Sequence, residues 1–131
     1  MASIFSKIIA GEIPCYKVGE SEHCIAFMDI NPMRRGHTLV VPKKEVDKIM
    51  DLSELEYTEL MAFSRTVGQA IEATIPCNRV GMMVVGLEVP HAHVHLIPIS
   101  KMSDIQLGIA SEPQSNEELA ETAATIAAAI G

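Results

Sequence analysis

Tryptophan is absent from the 131-residue chain, and aromatic residues make up only 4% of it. Aliphatic and methionine side chains must therefore fill the core, and with 48% hydrophobic residues there are enough of them. No apolar run approaches the ~20 residues of a membrane span. The mean hydropathy of +0.23 thus points to a well-buried fold with an apolar oligomer interface, not to a bilayer. Basic residues are in deficit. A net charge of −7 excludes general affinity for DNA, RNA or anionic membranes, which draws on clustered Lys and Arg, but leaves room for a small local phosphate site. Cysteine is sparse: Cys15, Cys24 and Cys77 are odd in number, well separated and form no Cys-x-x-Cys pair, as in a reducing compartment. The apolar stretch Ile8-Ile9-Ala10 is too short for a signal peptide and is broken by Gly11, so a cytoplasmic location is expected. The length fits one domain, residues 1–131, that needs neither metal nor disulfide to hold it.

What is present reads as helix, three strands, helix, two strands, helix. Ser3 to Ala10 carries Ile4, Phe5, Ile8 and Ile9 on one stripe with Gly11 past its end, a short helix. Cys15–Val18 and Cys24–Met28 pair around the polar turn 19–22, and Asn31-Pro32 marks a further turn. His37–Val41, rich in β-branched residues and closed by Pro42, is a central strand buried on both faces. Ser53 and Glu56 form a capping box opening the longest helix, with Leu60, Phe63, Val67, Ala70, Ile71 and Thr74 inward. Strands follow at Arg79–Leu87 and His91–Ile99. A loop over residues 101–114 leads to a second capping box, Ser115 and Glu118, and a last helix. Adjacent strands without alternating helices favour an antiparallel α+β domain.

Three of the five histidines stand at alternate positions, His91, His93 and His95. On a strand their rings project from one face while Ala92, Val94 and Leu96 pack on the other. The plain alternative is a half-exposed strand whose polar face is histidine by accident. A second reading is zinc, but the outer Cα atoms of such a strand lie about 13 Å apart at about 3.3 Å per residue. Zinc would then take two of the three plus a ligand such as His37 or Glu88. The third reading is phosphoryl chemistry. A neutral imidazole attacks phosphorus well if its other nitrogen is held by an acceptor, and flanking imidazoles can donate to phosphate oxygens and the leaving group.

The run His91-Ala92-His93-Val94-His95-Leu96-Ile97 resembles the His-φ-His-φ-His-φ-φ signature of the histidine triad (HIT) superfamily. Ile4–Pro14 resembles the family's opening helix and turn, Ala26–Pro32 its ribose-contacting segment, and Gly36–Lys43 its fourth histidine and strand. The match runs in order from residue 4 to 99 and is closest to the Hint-like branch. It implies an antiparallel sheet of about five strands with one long helix and short terminal helices, assembled as a homodimer.

The resemblance also implies roles. His93 corresponds to the nucleophile, and His95 to the residue that contacts phosphate and helps the leaving group depart. His91 corresponds to the residue whose backbone carbonyl orients the nucleophile, and His37 to the supporting histidine. Asp29 corresponds to the ribose-binding acid, and Phe27 and Ile30, with Ile4, Phe5 and Ile8, are candidates for the base pocket or for core. The chain departs from the family at Gly86-Leu87-Glu88-Val89-Pro90, where many members have Gly-Gln-x-Val and the Hint-like branch often has Ser. Leu87 replaces the phosphate-holding Gln. Glu88 either favours a cationic, lysine-like amine as leaving group or points to solvent. Ser3 and Ser6 stand where some bacterial members have a zinc-binding Cys-x-x-Cys, so no such zinc is expected. The implied activity is hydrolysis of a purine nucleoside phosphoramidate through a nucleotidyl-histidine, releasing a nucleoside monophosphate. Alternatives are dinucleoside polyphosphate hydrolysis and nucleotide binding with little turnover. No cofactor or metal is implied, apart from Mg²⁺ accompanying a polyphosphate. Arg34-Arg35 and Lys43-Lys44 are read as solvated pairs, Met82-Met83 as core or dimer interface, and His23 as surface.

Overall fold

One five-stranded sheet organises the chain, and it separates two layers of unequal size. The computed structural model describes residues 2–130. Strands β1 (Lys17–Glu20), β2 (Cys24–Met28), β3 (Thr38–Pro42), β4 (Arg79–Met83) and β5 (Val94–Ile99) lie in the order β1-β2-β3-β5-β4, all neighbours antiparallel. The helices are α1 (Ile4–Ile9), α2 (Glu54–Thr74) and α3 (Asn116–Ala128). The α+β class and the element order are those read from the sequence. None of these helices is long and apolar enough to cross a membrane.

Strand alternation sorts the side chains between the layers. Cys24, Ala26 and Met28 of β2, Val40 of β3, and Val94 and Leu96 of β5 join Leu60, Val67 and Ile71 of α2 and Leu119, Ala123 and Ile126 of α3 in the larger core. Ile25, Phe27, Leu39 and Val41 face the other way, onto Phe5 of α1, with Val89 at the edge of that cluster. Both capping boxes form. Ser53 Oγ accepts from Glu56 N–H at 3.1 Å while Glu56 accepts from Ser53 N–H at 2.8 Å, and Ser115 and Glu118 repeat the arrangement. On α2, Ser64 and Gly68 are buried where the expected stripe had Phe63 and Thr74, which are half-buried.

Four strands differ from expectation: β3 is shifted by one residue, β1 by two, and β4 and β5 are shorter at one end. β1 runs on through Gly19-Glu20, because the hairpin closes later, where Ser21 N–H donates to the Cys24 carbonyl. β4 stops at Met83 and leaves 84–87 off the ladder, Gly86 turning the chain with φ +75°. β5 begins at Val94, not His91, because the Ala92 N–H is taken by the Val46 carbonyl at 2.7 Å and the His91 N–H by Val89. The triad therefore straddles a strand end. Toward the far end of β5, Gly36 turns into β3 with φ +97°, where a Cβ would stand 3.1 Å from Pro98 and 3.2 Å from Ile75; a bulkier residue there would strain the turn that leads into His37.

Candidate active site

The α1 face of the sheet carries the histidines. Phe27 pairs with Leu39, Leu39 with His95 and His95 with Met83, so His95 extends a row of apolar residues across the strands. His93 lies just before β5, its ring 4.9 Å from that of His95 and 4.9 Å edge-on from Phe5. His91, 5.8 Å from Phe5, completes the line.

Hydrogen bonds assign the protons. A carbonyl only accepts, so the 2.7 Å contact between His93 Nδ1 and the His91 carbonyl puts the proton on Nδ1. The lone pair of His93 is then on Nε2, which has no protein partner among the described residues and is not sealed from solvent. On the other side, Met33 N–H donates to His37 Nδ1 at 3.1 Å, which places the His37 proton on Nε2. That proton points at His95 Nδ1, 2.9 Å away, so His95 carries its own proton on Nε2. Asp29 reinforces the direction: Oδ2 lies 3.5 Å from His37 Nε2, while Oδ1 accepts from Asn31 N–H at 2.8 Å. A bare lone pair on His93 thus stands beside an N–H on His95.

Burial keeps this pattern neutral. Desolvation pushes His93 below the usual histidine value, against the opposing hydrogen bond to His91 and the nearby carboxylates of Asp29 and Glu88. His95 is pushed down to about 4, by desolvation first and then by His37 and His93. His37 is lowered by its burial against the pull of Asp29. No lysine or arginine bears on the three rings among the described residues.

His91 corrects the simplest use of the alternation. Its Nε2–H donates to the Pro42 carbonyl at 2.8 Å, and its Nδ1 accepts from Ser3 Oγ at 2.8 Å. With both nitrogens occupied and the ring fully buried, His91 has no donor for phosphate; its carbonyl is what reaches the site. Among the described residues, Asp29, His37 and His95 form a group whose ligand atoms lie within 4.8 Å of one another. Their 2.9 Å nitrogen pair has hydrogen-bond spacing. Two nitrogens on one tetrahedral zinc, at about 2.0–2.1 Å each, would stand about 3.3 Å apart.

The remaining candidates are spread around the mouth. Phe27 is buried against Phe5, as wall and not as open surface. Ile30 is 65% and Leu87 89% exposed, and Glu88 is also exposed. The basic pairs are mostly engaged elsewhere: Arg34 with Asp104 and Glu112, Lys43 with Glu20, Lys44 with Glu56. Sequence reasoning missed the Met33 amide, Ser3 and Glu45. Ser3 was legible as a helix start and as a replacement for a zinc-binding cysteine, not as a partner of His91, and nothing in the sequence singles out Glu45.

A sheet that carries alternating histidines against a fourth from the neighbouring strand defines a histidine triad protein. Residues 10–102 match the HIT domain, and the chain belongs to that family. It is 43% identical over 102 residues to an uncharacterized HIT-like protein of Methanocaldococcus jannaschii, covering 72% of this chain and 77% of that one. It is 33% identical over 121 residues to the adenosine 5'-monophosphoramidase hnt1 of Schizosaccharomyces pombe, 91% of each chain. The fold matches the crystal structure of a HIT-like protein from Bartonella henselae with a TM-score of 0.85 at 32% identity, over 97% of this chain and 95% of that one.

Proposed function

We propose that this protein is a single-domain nucleotide hydrolase acting at an α-phosphate, with a purine nucleoside phosphoramidate as its substrate. His93 Nε2 attacks phosphorus and the P–N bond breaks. The nitrogen takes a proton from solvent and leaves as a neutral amine, under the hydrogen bond of His95 Nε2–H. Water then attacks the nucleotidyl-His93, returns the proton to solvent and releases the nucleoside monophosphate. Asp29 receives the ribose hydroxyls, and no cofactor takes part. The observation that carries this reading is the 2.7 Å bond from His93 Nδ1 to the His91 carbonyl with Nε2 left unpartnered. The phosphoramidase named among the relatives supports it. A homodimer is part of the proposal: β4 is a sheet edge with Met82 exposed, as are Val84 and Val85 beyond it. With α2 it borders a groove of about 660 Å³ lined by Tyr57, Met61, Val80 and Met82. The location proposed is cytoplasmic.

Mass spectrometry of protein quenched during turnover of adenosine 5'-phosphoramidate tests the reaction. The expected result is one added adenylyl group mapped to His93 and absent from His93→Ala. Faster release of AMP from a diadenosine polyphosphate would move the assignment to that substrate class. Tight AMP binding with no turnover of either compound would make the protein a binding module.

A further inference from the structure

We infer that Ser3 and Glu45, which reach the nucleophile only through His91, are positioning residues that set the proton on the nucleophile's ring. The inference rests on His93 being that nucleophile. The His91 carbonyl fixes the His93 tautomer, so whatever holds the 91–92 peptide controls the reactive lone pair. Four contacts hold it. The His91 N–H is bound by Val89 and the Ala92 N–H by Val46. The His91 ring is bound at Nε2 by the Pro42 carbonyl and at Nδ1 by Ser3 Oγ. Because Nε2 must donate to a carbonyl, Nδ1 must accept, and the Ser3 hydroxyl is its donor. The same oxygen accepts from Ser6 N–H at 3.0 Å and caps α1. Glu45 then fixes Ser3: one carboxylate oxygen accepts from Ser3 N–H at 2.7 Å and from Ser6 Oγ–H at 2.6 Å. The chain runs Glu45, Ser3, His91 ring, His91 carbonyl, His93 Nδ1–H. It joins α1 and the segment after β3 to the reacting atom.

The test compares Ser3→Ala, Ser3→Thr, Glu45→Gln and wild type by two measurements. Imidazole ¹⁵N shifts report the His93 tautomer without substrate. Steady-state kinetics on adenosine 5'-phosphoramidate separates kcat from KM. Ser3→Ala is expected to populate the Nε2–H tautomer of His93 and to lower kcat about tenfold, the scale of one lost hydrogen bond, with KM unchanged. Ser3→Thr keeps both the hydroxyl and the cap and restores both readouts, and Glu45→Gln, which loses charge but keeps an acceptor, falls between. Loss of thermal stability in Ser3→Ala with the tautomer and kcat unmoved would overturn the inference, as would a wild-type His93 already protonated on Nε2. Should wild type turn nothing over, the proposed reaction fails while the nitrogen shifts still decide this one.

Discussion

The triad segment and the loop just before it differ sharply in how they are held. From His91 to His95, and in His37 behind them, every ring nitrogen except Nε2 of His93 and of His95 has a protein partner among the described residues. From Val84 to Glu88 no element of the protomer covers the side chains, Leu87 being 89% exposed, and only Val89 is anchored, against the Phe5 cluster. Rigid, pre-oriented groups are what a bond-making step requires. Unpartnered side chains at a mouth cannot contribute that, but they can discriminate among incoming groups. Under the proposed reaction, chemistry falls to the first region and choice of substrate to the second. Loss of the nucleophile should slow all substrates alike, and substitutions in the loop should change the ratio between substrates of different charge.

The strongest test removes the nucleophile. His93→Ala should reduce kcat by about 10⁴-fold or more, the scale of losing a covalent route, on every substrate tried. A drop of less than tenfold in single-turnover assays would place the chemistry elsewhere. Next in size is His95→Ala, which removes the N–H beside the lone pair. Its expected cost is about 10²–10³-fold, typical of a lost hydrogen-bond donor aimed at developing charge. The loss should be greater for strongly basic amines, which depart poorly, than for weakly basic ones such as anilines. Equal loss across amines would reduce His95 to a phosphate contact.

Titration of the same rings is a milder perturbation. His93, His95 and His37 all sit below the ordinary 6.5, His95 at about 4. The folded protein therefore binds fewer protons than the unfolded chain between these values. The contribution of these rings to stability is complete above pH 6.5 and declines as pH falls toward 4. Activity should follow the same direction but at lower pH, with kcat/KM still flat at pH 6.5 and falling only further down, as the folded protein's depressed His93 gains a proton on Nε2. Thermal unfolding and pH–rate curves measured together check the sign. A melting temperature that rose between pH 6.5 and 4.5 would contradict the buried, neutral assignment.

Much of the first region could be read from the chain, and little of the second. Alternation in β2, β3 and β5 predicts which side chains meet the helices, because both faces of these strands are covered and a register slip would bury the wrong set. The capping pairs Ser53–Glu56 and Ser115–Glu118 are local, so spacing alone reveals them. The start of β5 was not legible: Ala92 gives its N–H to Val46, a contact across more than forty residues of chain. For the same reason the sequence showed His91 as a third available ring. Its partners, Ser3 and Pro42, come from the N-terminus and the end of β3. The exposed loop 84–88 carries no periodic signal, since nothing packs against its alternate positions.

The smallest predicted effect concerns Glu88 and reads the loop directly. The carboxylates of Asp29 and Glu88 bear on His93, and no basic side chain offsets them among the described residues; Lys43 and Lys44 are held by Glu20 and Glu56. A leaving amine that carries a second, distal ammonium should therefore be favoured over a neutral alkylamine of equal length. Because Glu88 is solvated, the preference should be modest, about two- to fivefold at low salt, the range of an exposed ion pair, and should fade as ionic strength rises. Glu88→Gln should erase it while leaving kcat for the neutral amine unchanged, a separation that no triad variant can produce. If Glu88→Gln instead slowed both amines equally, the loop would share in the chemistry, and the division between the two regions would not hold.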